Sequence, residues 1–327
     1  MNHVERFKAL MNFQPVDRLP VLEWTRFWNL TTDRWLSEGL KYEGSLLAHF
    51  GLDPYCQMGI PSRAYPFPPA PYHGGPIINN EDDYEAIREH LYPPADEHLK
   101  IITQWSEEQS RGESVLWITI DGYFAFPRGL FGIEPHMFAF YDHPELMHRM
   151  NQDLVDHEIR VLHKIAKLRS IPCFTTIAED MSYNHGPMLS KQLFDEFLAP
   201  YYRQVVPLLK EMGTKVIVDS DGDVTDMVPW LLEVGCEGIL PLERQSAVDA
   251  GELRKEFPNL LMIGHYDKMV MHRGEQALRD EFERLLPTMK AGGFIPSVDH
   301  QTPPSVSLED YRMYVKLLKE YAVKAAQ

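Results

Sequence analysis

The apolar run Val216-Ile217-Val218 ends in Asp219-Ser220-Asp221-Gly222-Asp223. Along a β-strand, side chains two residues apart share a face, so Asp219 and Asp221 are expected to project together. Two carboxylates on one face can ligate a cation or act directly in catalysis. The same ending recurs along the chain. Residues 19–22 run into Glu23, 115–120 into Asp121, and 171–178 into Glu179-Asp180. Residues 238–242 run into Glu243, 260–264 into His265 and Asp267, and 294–298 into Asp299-His300. Seven apolar runs thus deliver an acid or an imidazole at the carboxyl end. That is the end at which barrels of parallel strands build their active sites.

Segments of helical period lie between these runs. Residues 97–108 follow the Pro93-Pro94 break, and 145–168 open at Pro144. Residues 190–209 begin with Ser190 as N-cap and carry Leu193, Phe194, Phe197 and Leu198 at helical spacing. Residues 225–234, 249–257, 274–291 and 307–324 complete the set. Strands alternating with helices predict a parallel sheet of βαβ units. Adding 52–58 as a strand makes eight, the number that closes a (β/α)8 TIM barrel. The expectation is a single barrel domain over 1–327, with 1–18 as an N-terminal helical extension. No Gly-rich phosphate loop follows any strand, which disfavours a doubly wound nucleotide fold. Residues 61–80 and 122–141, rich in proline and aromatic residues, interrupt the rhythm. They are expected as irregular rim insertions, serving either as binding loops or as packing.

The totals narrow the function. The chain has 327 residues, 44% of them hydrophobic, and a formal net charge of −16. Nucleic acid and anionic membranes demand a basic surface, so neither is expected as a partner. No apolar run reaches the roughly 18 residues of a membrane span, and the N-terminus lacks a signal peptide's apolar core. Cys56, Cys173 and Cys236 lie far apart without a C-x-x-C pair, as expected in a reducing cytoplasm, and Cys173 and Cys236, in apolar strand-like runs, are expected as buried thiols.

With strands and acids placed, the chain resembles the uroporphyrinogen decarboxylase superfamily, and more closely its branch of cobalamin-linked methyltransferases. Arg6-Phe7-Lys8-Ala9-Leu10, followed by Pro15-Val16-Asp17-Arg18-Leu19-Pro20-Val21, is similar to that branch's N-terminus. Glu179-Asp180-Met181, then Gly186-Pro187-Met188-Leu189-Ser190 and Phe194, resembles its fourth strand and following helix. Gly293-Phe294-Ile295-Pro296, Asp299-His300 and Pro303-Pro304 resemble its closing strand. The resemblance implies a (β/α)8 barrel, a homodimer, and a site at the strands' carboxyl ends. In the methyltransferases zinc is held by His-x-Cys after the fifth strand and a second Cys after the last, and it activates a thiol acceptor. Asp219-x-Asp221 and Asp299-His300 stand at those places here. The decarboxylases carry an arginine-rich stretch after the first strand, where this chain keeps only Arg26.

The expected metal set is therefore Asp219, Asp221 and His300, completed by Glu179, Glu243 or His265. Such donors suit zinc first, then manganese or iron. Asp219, Asp221, His300 and Tyr183 are the catalytic candidates. Glu23, Arg26, Arg128, Glu179, Asp180, His185 and Asp267 are the candidates for holding substrate. Asp267 and Lys268 also read as a plain ion pair. A solvated Asp-Gly turn, with Asp223 capping 225–234, competes with the metal site. An EF-hand loop is excluded, because Val224 and Trp230 fall where it needs Gly and Glu. The expected function is methyl transfer on a small-molecule substrate, with any corrinoid supplied by a partner protein. A metal-independent decarboxylase of a porphyrinogen or other polycarboxylate, gripped by Arg26 and Arg128, is the first alternative. A barrel that binds ligand without turnover is the second.

Overall fold

The computed structural model, which describes residues 1–327, contains seven strands paired in parallel and in chain order. They are β1 (Tyr55–Gly59), β2 (Val115–Asp121), β3 (Phe174–Ala178), β4 (Lys215–Ser220), β5 (Gly238–Pro241), β6 (Leu261–Tyr266) and β7 (Phe294–Val298). Helices cross between them, giving an α/β fold around a curled sheet. Strands covered on both faces read as unbroken apolar runs rather than alternating ones. Val216, Ile217 and Val218 of β4 are accordingly all buried. One end of the sheet is plugged by the helix His3–Met11, closed by an Asn2/Glu5 capping box. Its Phe7 stacks on Phe174 of β3 at 5.1 Å, and Phe174 on Trp117 of β2 at 4.7 Å.

The expected strand at 19–22 is absent from the ladder. Pro20 supplies no N–H there, so regular pairing loses a donor. The segment bridges the sheet's two outer strands through other groups. The Asp53 N–H, just ahead of β1, donates to the Val21 carbonyl at 2.6 Å. On the other side Glu23 Oε2 accepts from Ser297 Oγ at 2.7 Å and from Val298 N at 3.1 Å, both on β7. The Trp24 indole N–H donates to the Val298 carbonyl at 2.8 Å. A buried carboxylate therefore does the work of a missing ladder.

Two other expectations change. Residues 190–209 form two helices, Lys191–Phe197 and Ala199–Met212, because Pro200 cannot donate into a continuous ladder. Ser190 does cap the first, accepting from Leu193 N. Residues 122–141 are not irregular but hold the helices Ala125–Phe131 and Ile133–Asp142. The first begins on a cap borrowed from far away. Glu179 accepts from the backbone N–H groups of Tyr123, Phe124 and Ala125 at 2.9, 2.8 and 3.2 Å. Gly122 permits this approach, since a Cβ there would overlap the Glu179 carboxyl. Residues 61–80 carry neither helix nor strand, as expected.

Burial raises the Glu23 carboxyl from its ordinary 4.5 to about 7, against the hydrogen bonds from Ser297 and Val298. The folded protein then binds a proton that the unfolded chain has released, so stability falls as pH rises through this window. Buried His136 and His265, lowered to about 3 and about 4, act oppositely, but only below about pH 6.5. Unfolding free energy is therefore expected to drop between pH 6.5 and 8, with about 1 kcal/mol of the drop due to Glu23. Glu23→Gln keeps an acceptor for Ser297 and Val298 and should reduce that slope. Urea titrations of both proteins at the two pH values measure it, and an unchanged slope in the variant would refute the assignment.

Candidate functional site

Asp219, the penultimate residue of β4, lies in register with Ala178 of β3 and Leu240 of β5. Burial pushes its carboxyl up to about 8, with the charges of Asp180 and Asp221 adding and His300 opposing. Gly222 then turns the chain in the left-handed region, at φ 85°. A Cβ at this position would lie 2.7 Å from the Tyr183 nitrogen, so the turn requires glycine. The Gly222 N–H donates to Glu243 Oε2 at 3.1 Å, tying the end of β4 to the end of β5.

The turn brings Asp221 to Glu243 and His300, whose ligand atoms all lie within 4.8 Å of one another. His300 Nε2 is 3.6 Å from Asp221 Oδ2. The neighbouring Asp221 carboxylate raises the imidazole pKa against the effect of burial. Lys268, just past β6, completes the constellation. Its Nζ is 3.2 Å from Glu243 Oε1 and 3.5 Å from Asp299 Oδ1. Asp299 is fully buried and accepts from the backbone nitrogens of Arg244 and Lys268 at 2.9 and 3.3 Å. Burial lifts its carboxyl to about 6, with Lys268 pulling it down. Four strand ends thus meet through side chains at one point.

Two carboxylates and one imidazole form a donor set suited to zinc, manganese or iron, with coordination positions to spare. In this respect Asp221, Glu243 and His300 fit a divalent ion. The Gly222 N–H leaves a lone pair on its Glu243 oxygen, whereas Lys268 places a full positive charge at the other.

The remaining sequence candidates separate clearly. Asp219 lies outside the three-donor group, although it senses its charges. His265 is buried, with Nδ1 2.8 Å from the Leu242 carbonyl and Nε2 accepting from Ala250 N at 3.1 Å. Both ring nitrogens are spent on the protein, so His265 is not a ligand. Glu23 and Glu179 are likewise consumed, the one bridging to β7 and the other capping a helix while accepting from the Tyr202 hydroxyl. Burial raises Glu179 to about 7. Asp180 stands on the rim with its pKa raised by burial and the Asp221 charge, and Arg128 is committed to it. Arg128 Nη1 donates to the Asp180 carbonyl at 2.6 Å, and Nη2 lies 3.4 Å from Oδ2. Arg26 is exposed beside β1, lining a cavity of about 540 Å³ with Phe27, Tyr42, Tyr55, Gln57 and Trp105. Tyr183 and His185 are exposed on the hairpin Ser182–Tyr183/Gly186–Pro187. Asp267 caps a short turn by accepting from Met269 N at 2.8 Å, and also bonds Gln245. It forms no ion pair with Lys268. Asp223 accepts from Thr225 N at 3.1 Å but does not cap a helix: residues 225–227 form a 3-10 turn with Val224 in the cap position, and the helix itself starts only at Val228. Lys268, read from the sequence only as an ion-pair partner of Asp267, instead joins the site, and its place just beyond a strand's carboxyl end is the signal for it.

A curled seven-stranded parallel sheet with acids, an ammonium and an imidazole gathered at its carboxyl ends is an α/β fold consistent with a barrel. Residues 69–321 match the uroporphyrinogen decarboxylase (URO-D) family, and the chain belongs to that family. Among solved structures it is similar to a methyltransferase from Methanosarcina mazei. The two share 13% identity and a TM-score of 0.66 over 98% of this chain and 99% of that one, a likeness of fold. A Listeria monocytogenes protein named for vitamin-B12-independent methionine synthesis shares 12% identity over 69% of this chain and 68% of its own. Its TM-score of 0.39 is too low to argue from. No curated protein matches the chain. No helix is long and apolar enough to cross a membrane.

Glu179→Ala would strand three backbone N–H groups and the Tyr202 hydroxyl in the interior. The expected loss is about 3–5 kcal/mol of unfolding free energy. Chemical denaturation measures it, and a loss below about 1 kcal/mol would contradict the structural role assigned to this acid.

Proposed function

We propose that this protein is a metal-dependent methyltransferase acting on a small molecule, with Asp221, Glu243 and His300 holding a divalent ion, zinc ahead of manganese or iron. The observation that carries the proposal is the convergence of these three donors from the ends of β4, β5 and β7 within 4.8 Å. The fold shared with the Methanosarcina methyltransferase supports it. In this reading residues 19–23 count as the eighth strand of a single-domain (β/α)8 barrel. The enzyme works as a cytoplasmic homodimer, and a corrinoid protein carries the methyl group. An ion in this carboxylate-rich shell supplies Lewis acidity that suits an oxygen substrate, such as an alcohol or a methoxy compound. The chain's own residues do the rest. Asp219, beside the cluster, serves as the acid that gives a proton to a leaving oxygen, and Asp221 orients His300. Arg26 and Asp180 face the substrate's approach, with Tyr183 and His185 on the hairpin above.

A second reading, metal-free decarboxylation of a polycarboxylate, rests on Lys268, which already supplies a cation among these acids. It meets an electrostatic cost, because Asp180, Asp221 and Glu243 repel an anionic substrate at close range and Arg128 is engaged by Asp180.

Elemental analysis of protein purified without a histidine tag separates the two. The expected result is near-stoichiometric zinc, manganese or iron in the wild type and its loss in Asp221→Ala/His300→Ala. A wild type that takes up none of these ions on incubation would reject the metal-dependent reading in favour of the decarboxylase.

A further inference from the structure

Lys268 has no part in the ligand set, yet it occupies the most contested position in the site. Its side chain is only 17% exposed, and its ammonium stands between Glu243 and Asp299 at 3.2 and 3.5 Å. Asp299 is fully buried, so its charge has no water to stabilise it. Its other partners are two backbone N–H groups, one of them from Lys268 itself. Glu243 is held from two sides, by the Gly222 N–H and by Lys268 Nζ. Lys268 therefore anchors both carboxylates with one charge and keeps Glu243 in place beside Asp221 and His300.

That arrangement has a consequence for any ion at the site. An N–H donor shares a carboxylate oxygen with a metal, because the oxygen keeps a second lone pair. An ammonium shares it poorly, since a divalent ion at Glu243 would sit within a few ångströms of a full positive charge in a partly dehydrated site. We infer that Lys268 is the gate of the ion site: its ammonium acts as a resident cation on Glu243, and a divalent ion binds there only in competition with it. This rests on the metal-dependent reading above and adds to it what sets the ion's affinity. It also assigns a role to a residue placed between two acids that have no other cationic partner. In the absence of a divalent ion, Lys268 holds the acids together. On binding, Glu243 is released to the ion while Asp299 retains the ammonium.

The test is zinc affinity, measured by isothermal titration on metal-stripped wild type, Lys268→Met and Lys268→Arg, with Asp221→Ala alongside. Methionine keeps the length of the side chain without its charge, and arginine keeps the charge. The expected result is zinc binding at least about tenfold tighter in Lys268→Met than in wild type, equivalent to about 1.4 kcal/mol. Lys268→Arg should bind no tighter than wild type. The arginine variant also guards against a general loosening of the site, because its charge still anchors Asp299. Equal or weaker zinc binding in a folded Lys268→Met would overturn the gate. If wild type binds zinc, Asp221→Ala does not, and Lys268→Met matches wild type, the ion site stands and the gate alone fails. If no variant binds zinc, manganese or iron in the same titration, both the gate and the metal-dependent reading fall.

Discussion

A carboxylate taken out of water must be met by donors or by a cation, and this requirement organises the open end of the sheet. Glu23, Glu179, Asp219 and Asp299 all lie there with their pKa values raised by burial. Each is answered differently. Glu23 is met by β7 and joins the outer strands where the ladder fails. Glu179 is met by three backbone N–H groups and a tyrosine, and so starts a helix. Asp299 is met by Lys268. The Asp219 carboxyl has no hydrogen-bonding partner, and its pKa is raised furthest of the four.

The same accounting divides structural acids from functional ones. An acid whose acceptor sites are filled by the protein has nothing left for a substrate or ion, which removes Glu23 and Glu179 from the site. Buried His265 is removed by the same logic, with both nitrogens engaged. What remains with ligand atoms open is Asp221 and His300, with Glu243 shared between the site and Lys268. The atoms left open are carboxylate and imidazole, with no thiol among them.

Much of this could be read from the sequence, because the relevant physics is local. Apolar runs of strand length, Ser190 as an N-cap and the acid at the end of each run are set by residues a few positions apart. Six of the seven acid-tipped runs became strands, and the added run at 52–58 became β1. Asp221, Glu243 and His300 are each legible as rim residues, since each follows directly from an apolar run of strand length.

Partner choice was decided by the tertiary structure alone. Glu23 finds Ser297 across 274 residues, and Glu179 caps a helix that begins 54 to 56 residues earlier. No local pattern encodes such contacts; they exist only once the strands lie side by side. Strand ends in a parallel sheet converge in space while staying far apart in sequence, so the chain specifies which acids reach the rim. Which of them are consumed by helices, bridges or Lys268, and which stay open for chemistry, depends on the packing of loops that the sequence brings together only on folding.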